Sequence, residues 1–209
     1  MLSSGSFVFF FAAALLIAVT PGPGLFYVTA RTLAGGRAEG IASCCGTGLG
    51  GCVHVLAGAF GVSALMMASA EAFTLLKLVG AAYLVWLGFK TIREAKVETL
   101  AGVSASGPWR AFRDGVLVEA LNPKTAAFFL AFIPQFVSPD QGGVAVQFVA
   151  LGLVSIALNT LAAGLTAVMA SRARDSLAQR PLVIRRVREA SGVVMCGLGA
   201  LLALARRPV

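Results

Sequence analysis

From Leu2 to Ala30 no side chain carries a charge, yet the run contains VTPGPG at residues 19–24. About 20 apolar residues suffice for a helix to cross the ~30 Å hydrocarbon core of a bilayer, so this run is long enough to span one. Lipid offers the backbone no hydrogen-bonding partner. A break built from Pro21, Gly22, Pro23 and Gly24 is therefore tolerated only beside other protein or a water-lined cavity. The chain must cover this break with something from elsewhere in its length.

Apolar segments recur at residues 7–30, 40–70, 72–89, 115–137, 143–170 and roughly 182–205. The chain is 58% hydrophobic and 12% charged, with mean hydropathy +0.87, above the apolar share of about half found in soluble domains. The expectation is an all-α integral membrane protein, one domain of 209 residues with six transmembrane helices. The third and sixth spans have the softest ends, because Lys77 lies in one and the uncharged part of the other begins only at Ala190. A cleaved signal peptide is a poor account of the first span, since no Lys or Arg precedes it and five similar segments follow.

A net charge of +8 would suggest nucleic acid as a partner for a soluble chain. Here its placement matters more. The loops after spans one, three and five hold Arg31, Arg37, Lys90, Arg93, Lys96, Arg110, Arg113, Arg172, Arg174, Arg180, Arg185, Arg186 and Arg188, against Lys77, Arg206 and Arg207 on the other face. The positive-inside rule then puts the basic loops in the cytoplasm and both termini outside. Contact with anionic lipid headgroups is the plain reading of the basic loops, and no nucleic-acid partner is expected.

Residues 96–108, KVETLAGVSASGP, form the one long polar stretch of small residues and read as a cytoplasmic linker. They divide the chain into a first repeat at 1–95, a linker at 96–110 and a second repeat at 111–209. A shift of 102 residues lays Thr20-Pro21 over Asn122-Pro123. Three spans per half mean that the second half enters the membrane from the opposite side, the inverted-repeat plan of many secondary transporters.

In each dipeptide the first side chain can cap a helix, and proline at the first helical position gives up an N–H that would have lacked a partner anyway. Helices one and four are thus expected to be broken and to restart at Thr20-Pro21 and Asn122-Pro123. Pro21 lies about 14 residues, ~21 Å, into its span and Pro123 about 8 residues, ~12 Å, into its own, so from opposite faces they reach similar depth. The exposed N–H groups of such half-helices suit a carboxylate. Gly22 and Gly24 let a ligand approach the backbone. The candidate substrate site is therefore Thr20, Pro21, Gly22, Pro23, Gly24, Asn122, Pro123 and Lys124.

The stretches TPGPGLFYVTARTLAGGRAEG, LKLVGAAYLVWLGFK and LNPKTAAFFLAFIPQFV resemble the signature regions of the LysE/RhtB family of bacterial inner-membrane amino-acid exporters, over nearly the whole chain. The resemblance implies efflux of an amino acid or close derivative driven by the proton motive force, from a homodimer. Members often carry Asn or Asp after Pro-Gly-Pro. Here Gly24 follows, which removes a polar contact expected at that point.

Three ionisable residues are candidates for proton coupling. Lys124 follows the second break directly, and a lysine deep in a membrane needs a cavity or a partner: a substrate carboxylate, an exchanging proton or a structural ion pair. Glu119 would carry protons if buried, since desolvation favours its neutral form; its expected place is nearer the cytoplasmic interface. On a regular helix it sits about 140° away from Lys124. His54, the one histidine, is either a substrate or proton group or a donor to a backbone carbonyl.

Cys44, Cys45, Cys52 and Cys196 raise two rivals, heavy-metal export and intramembrane thiol redox transfer. Cys52 and His54 are about 200° apart on a helix, and Cys45 and Cys52 ~10 Å apart along it, so no shared metal site is expected there. Gly46 and Gly50 have the GxxxG spacing of close helix packing, and could form a dimer face. Tyr83 and Trp86 either face the cavity or anchor the helix in the interface. No catalytic residue and no cofactor are expected: the chain has no P-loop or ATP-binding module. The reading is a secondary exporter alternating access around the two breaks, with a passive channel as a further alternative.

Overall fold

The computed structural model describes residues 4–62, 64, 70–95, 104–172 and 181–204. Linker residues 96–103, and Lys96, Arg174, Arg180, Arg206 and Arg207 among the basic residues, lie outside them. Seven α-helices and no strand occur among the described residues: α1 (Ser4–Val19), α2 (Pro23–Ala57), α3 (Ala70–Arg93), α4 (Pro108–Ala120), α5 (Pro123–Ala127), α6 (Val144–Arg172) and α7 (Pro181–Leu204). A π-helical turn, Gly58–Val62, extends α2; another, Phe128–Phe132, extends α5 and runs into a 3-10 turn at Ile133–Phe136.

Four stretches are long and apolar enough to cross a membrane: Pro23–Gly61, Glu71–Arg93, Val144–Arg172 and Arg185–Leu204. The pair α4 and α5, bent by 41°, makes a fifth as one broken crossing, and Gly5–Val19 is apolar but shorter. The count differs from six because α2 joins the second part of the first expected span to the whole of the second. Its 35 residues are two helices joined at Gly36 that fold back on each other, Thr32 of the first lying against Gly40 of the second and Arg31 3.6 Å from Glu39. Gly36 interrupts it at φ 75°, ψ −167°, a conformation that glycine alone adopts without strain.

Glycines set the helix contacts. Gly58, Gly51 and Gly40 of α2 lie against Phe148, Ile156 and Ala167 of α6, so the two helices run antiparallel. Gly88 of α3 faces Gly192 of α7, and Gly199 faces Ala81 and Val85, again antiparallel. Gly46 and Gly50 abut the backbone of Phe112 and Val116 on α4. Close helix packing was the expectation for this GxxxG pair, and the seam is filled from within the protomer rather than by a second copy. Tyr83 and Trp86 are exposed, with Lys90 Nζ 5.2 Å from the Trp86 ring. They point outward rather than into a cavity. Large apolar side chains on the periphery, Leu75, Val146 and Leu165 among them, are exposed, as a lipid-facing surface requires.

Inside, a phenylalanine cluster joins α1 to the extension of α5: Phe10 meets Phe136 edge-on at 5.3 Å, and Phe128 stacks on Phe132 at 5.0 Å. At the basic end the start of α4 is fastened to the Gly36 bend. Glu39, buried, accepts from the N–H groups of Ser106 (2.8 Å) and Gly107 (2.7 Å), satisfying donors that a helix start leaves open. Arg31 lies 3.6 Å from the same carboxylate and donates to the Ser104 carbonyl at 3.0 Å. These contacts tie the end of the linker to the first bend.

Candidate functional site

The two breaks meet. In α1 the carbonyl of Ile17 would ordinarily accept from the N–H four residues on, but that residue is Pro21, which has none. Lys124 supplies the missing donor from the second half of the chain: its Nζ reaches the Ile17 carbonyl at 3.0 Å and the Thr20 carbonyl at 2.7 Å. The ammonium thereby lies at the carbonyl end of α1, where the helix dipole favours a cation.

The second break repeats the device. Pro123 cannot donate to the Glu119 carbonyl four residues earlier. His54 Nε2 donates to it at 2.8 Å, and the Asn122 N–H at 3.0 Å. His54 therefore acts as a donor to a backbone carbonyl, one of its two expected roles. Asn122 caps α5, its side-chain oxygen accepting from the Lys124 N–H at 3.1 Å. Thr20 does not cap α2, which corrects the expectation: its hydroxyl turns back to the Leu16 carbonyl at 2.6 Å. The helix starts two residues later, at Pro23, with Gly22 in the N-cap position and no side-chain cap. The second proline of Pro-Gly-Pro takes the N1 place that the first was expected to hold.

Glu119 is buried at the end of α4, the condition on which it was a candidate for proton coupling, and its surroundings are not those of a regular helix. Its carboxylate accepts from Thr125 Oγ1 at 2.6 Å and Asn122 Nδ2 at 2.9 Å. The break explains the difference: α4 stops at Ala120, so Thr125 and Asn122 fold back over the carboxylate instead of continuing around a regular helix. A Cβ on Gly24 would overlap Glu119 Oε2. The carboxylate of Glu119 thus fills the space that a side chain at position 24 would take, beside the N-terminus of α2. Gly24→Asp should place two carboxylates there and overpack the site. We expect a severalfold loss of folded protein by fluorescence-detected size exclusion, and recovery when Glu119→Ala is combined with it.

Lys124 has neither an ion-pair partner within 4 Å among the described residues nor exposure to lipid. It runs over Gly22, where an added Cβ would stand 3.1 Å from its Cδ and Cε. Two cavities lie on either side of it. The smaller, about 30 Å³, is lined by Glu119, Asn122, Thr125, Thr47 and Asn159, and has room for about one water. The larger, about 340 Å³, lies between Pro21, Gly22, Pro23, Pro123 and the ends of α3 and α7 near Glu94 and Arg188. Lys124 lines both.

Thr47, Thr125, Asn159, Glu94 and Arg188 were not among the sequence candidates. Asn159 and Thr160 in an otherwise apolar span carried a readable signal; Glu94 and Arg188 did not, because their shared cavity joins positions far apart in the chain. No group of three His, Cys, Asp or Glu residues suited to a metal occurs among the described residues. The four cysteines are unpaired with one another, Cys44 donating to the Thr160 carbonyl and Cys196 to that of Val85.

Buried charge at paired helix breaks, with a polar cavity beside it, is costly for a protein that only has to sit in a membrane and is the equipment of one that moves solutes. Residues 5–206 match the family model of the LysE type translocator, and the chain belongs to that family. It is 33% identical over 196 residues to a homoserine/homoserine lactone efflux protein of Salmonella typhimurium, covering 91% of this chain and 92% of that one. It is 32% identical over 195 residues to an uncharacterized membrane protein of Vibrio cholerae, covering 92% and 94%. A leucine efflux protein of Klebsiella pneumoniae is 25% identical over 150 residues, 71% of each chain. No solved structure matches.

Proposed function

We propose that this protein is a secondary active exporter of an amino acid or close derivative in a bacterial inner membrane, alternating access around the two breaks and exchanging substrate for protons. The observation that carries the reading is Lys124, a buried ammonium that joins the break of one half to the break of the other and lines the cavities on both sides. The efflux functions of the Salmonella and Klebsiella relatives support it.

Six crossings arranged as two inverted repeats, residues 1–95 and 111–209, account for the matched pair of proline-orphaned carbonyls at Ile17 and Glu119. With the basic end in the cytoplasm, both termini face the periplasm. A substrate carboxylate arriving in the larger cavity draws the Lys124 ammonium from the α1 carbonyls, an exchange of dipolar partners for a full opposite charge. With Lys124 displaced, the wall over Gly22 opens and the substrate ammonium reaches the Glu119 carboxylate. A proton entering from the far side neutralises Glu119 and releases the substrate. Proton and ammonium therefore compete for one carboxylate, which is the requirement for export driven by inward proton flow. Assembly as a homodimer uses a face other than Gly46 and Gly50.

The test is counterflow of labelled L-leucine and L-homoserine in proteoliposomes, with and without an imposed pH gradient. Trans-stimulated exchange, accelerated by the gradient, is expected of a carrier. Flux that ignores both trans substrate and pH would identify a passive channel and overturn the reading.

A further inference from the structure

The larger cavity has its own chemistry, distinct from that of the paired breaks. It is about 340 Å³, within the ~300–1,000 Å³ of pockets that hold small molecules, whereas the cavity beside Glu119 has space for little more than a water. Besides Lys124 its lining carries one acid and one base: Glu94 follows α3, and Arg188 lies in the first turns of α7. Between them Phe26, Leu87 and Met195 present apolar walls. The Arg188 guanidinium is seated over the Phe26 ring, 4.8 Å from its centroid, which holds its donors at the cavity margin by cation–π attraction.

We propose that this cavity is a receiving subsite on the basic face, selective for zwitterionic amino acids without a cationic side chain. The proposal rests on the exporter reading above and adds the substrate class and the residues that choose it. Arg188 takes the carboxylate through paired guanidinium donors, and Glu94 takes the ammonium. The apolar walls receive the side chain. A cationic side chain would have to be desolvated against Phe26, Leu87 and Met195 with no second acid in the lining, so lysine is refused. Lys124 and Pro123, with Pro21, Gly22 and Pro23, line the same cavity, so a substrate held here is already beside the breaks. Substrate is thus sorted before it reaches the proton-exchanging carboxylate.

The experiment measures KM for L-leucine and L-homoserine separately from each face, in vesicles of defined orientation, with L-lysine as competitor. Loss of a charge-assisted contact corresponds to about a tenfold to hundredfold weakening. Arg188→Gln and Glu94→Gln should each raise KM from the basic face by at least about tenfold, and from the opposite face by less than about twofold. Arg188→Lys should recover part of the loss, which separates charge from folding. Leu87→Trp, filling the cavity, should harm leucine more than homoserine. KM values unchanged by both charge variants, or equal competition by lysine, would overturn the subsite while leaving the exporter intact. Wild-type protein that moves neither probe would overturn the exporter reading and the subsite with it.

Discussion

Lys124→Met is expected to reduce amino-acid counterflow at least about a hundredfold and to destabilise the protein measurably. Methionine keeps the length of the side chain and its path over Gly22, so the space is filled. What disappears is the ammonium that serves the Ile17 and Thr20 carbonyls. Pro21 has no N–H to offer Ile17 in exchange, and lipid supplies none. Two lost hydrogen bonds from a charged donor amount to about 3–6 kcal/mol, or a fall of roughly 10 °C in apparent melting temperature for a chain of this size. Arg113→Gln, which removes an exposed charge paired with neighbouring Asp114, should leave both quantities near wild type. A thermal melt in detergent and counterflow in liposomes check the two effects separately. A Lys124→Met protein that melts low but transports normally would reduce Lys124 to a structural strut.

The second large effect concerns Glu119. If proton and substrate ammonium share its carboxylate, apparent affinity must fall as the binding side is acidified. For a single shared proton KM is expected to rise by up to about tenfold per pH unit as the binding side is acidified. Among the described residues the charged and titratable groups around it are Lys124 on α5 and His54 on α2, which meets the Glu119 backbone rather than its carboxylate. Glu119→Gln keeps the shape and the hydrogen bond from Asn122 but cannot exchange a proton. It should flatten the pH dependence of KM and abolish gradient-driven accumulation, while slow pH-independent exchange persists. Retained acceleration by a pH gradient in Glu119→Gln would place the coupling group elsewhere.

Much of the plan was written locally in the chain. Uncharged segments of spanning length, the two proline dipeptides 102 residues apart and the Asn122 cap depend on neighbours in sequence, and such features can be read without coordinates. The misreadings have long-range or competitive causes. Thr20 was expected to cap a helix, but Pro23 competes with Pro21 for the first helical position and wins, leaving Gly22 as the cap. Glu119 was set about 140° from Lys124 by the geometry of a regular helix, which does not hold where Asn122 and Thr125 fold back over its carboxylate. Gly46 and Gly50 showed the spacing for close packing but not whether the partner helix belonged to the same chain. Glu39 and Arg31 gave no sign of holding residues 104–107 from more than sixty positions away.

The proline-orphaned carbonyls bear on the energetics of motion. Lys124 serves the Ile17 carbonyl, whereas the Glu119 carbonyl keeps the Asn122 N–H beside His54. Withdrawing Lys124 therefore loosens the end of α1. A ligand that offers Lys124 a better partner supplies a differential interaction between two states, which is the condition for binding to drive a conformational change.

A structure of the protein with L-leucine or L-homoserine bound addresses this directly. The expected arrangement has the substrate carboxylate on Lys124 Nζ, that ammonium withdrawn from the Ile17 and Thr20 carbonyls, and the substrate amine directed at Glu119. A ligand seated away from both breaks, with Lys124 still fastened to the end of α1, would contradict it.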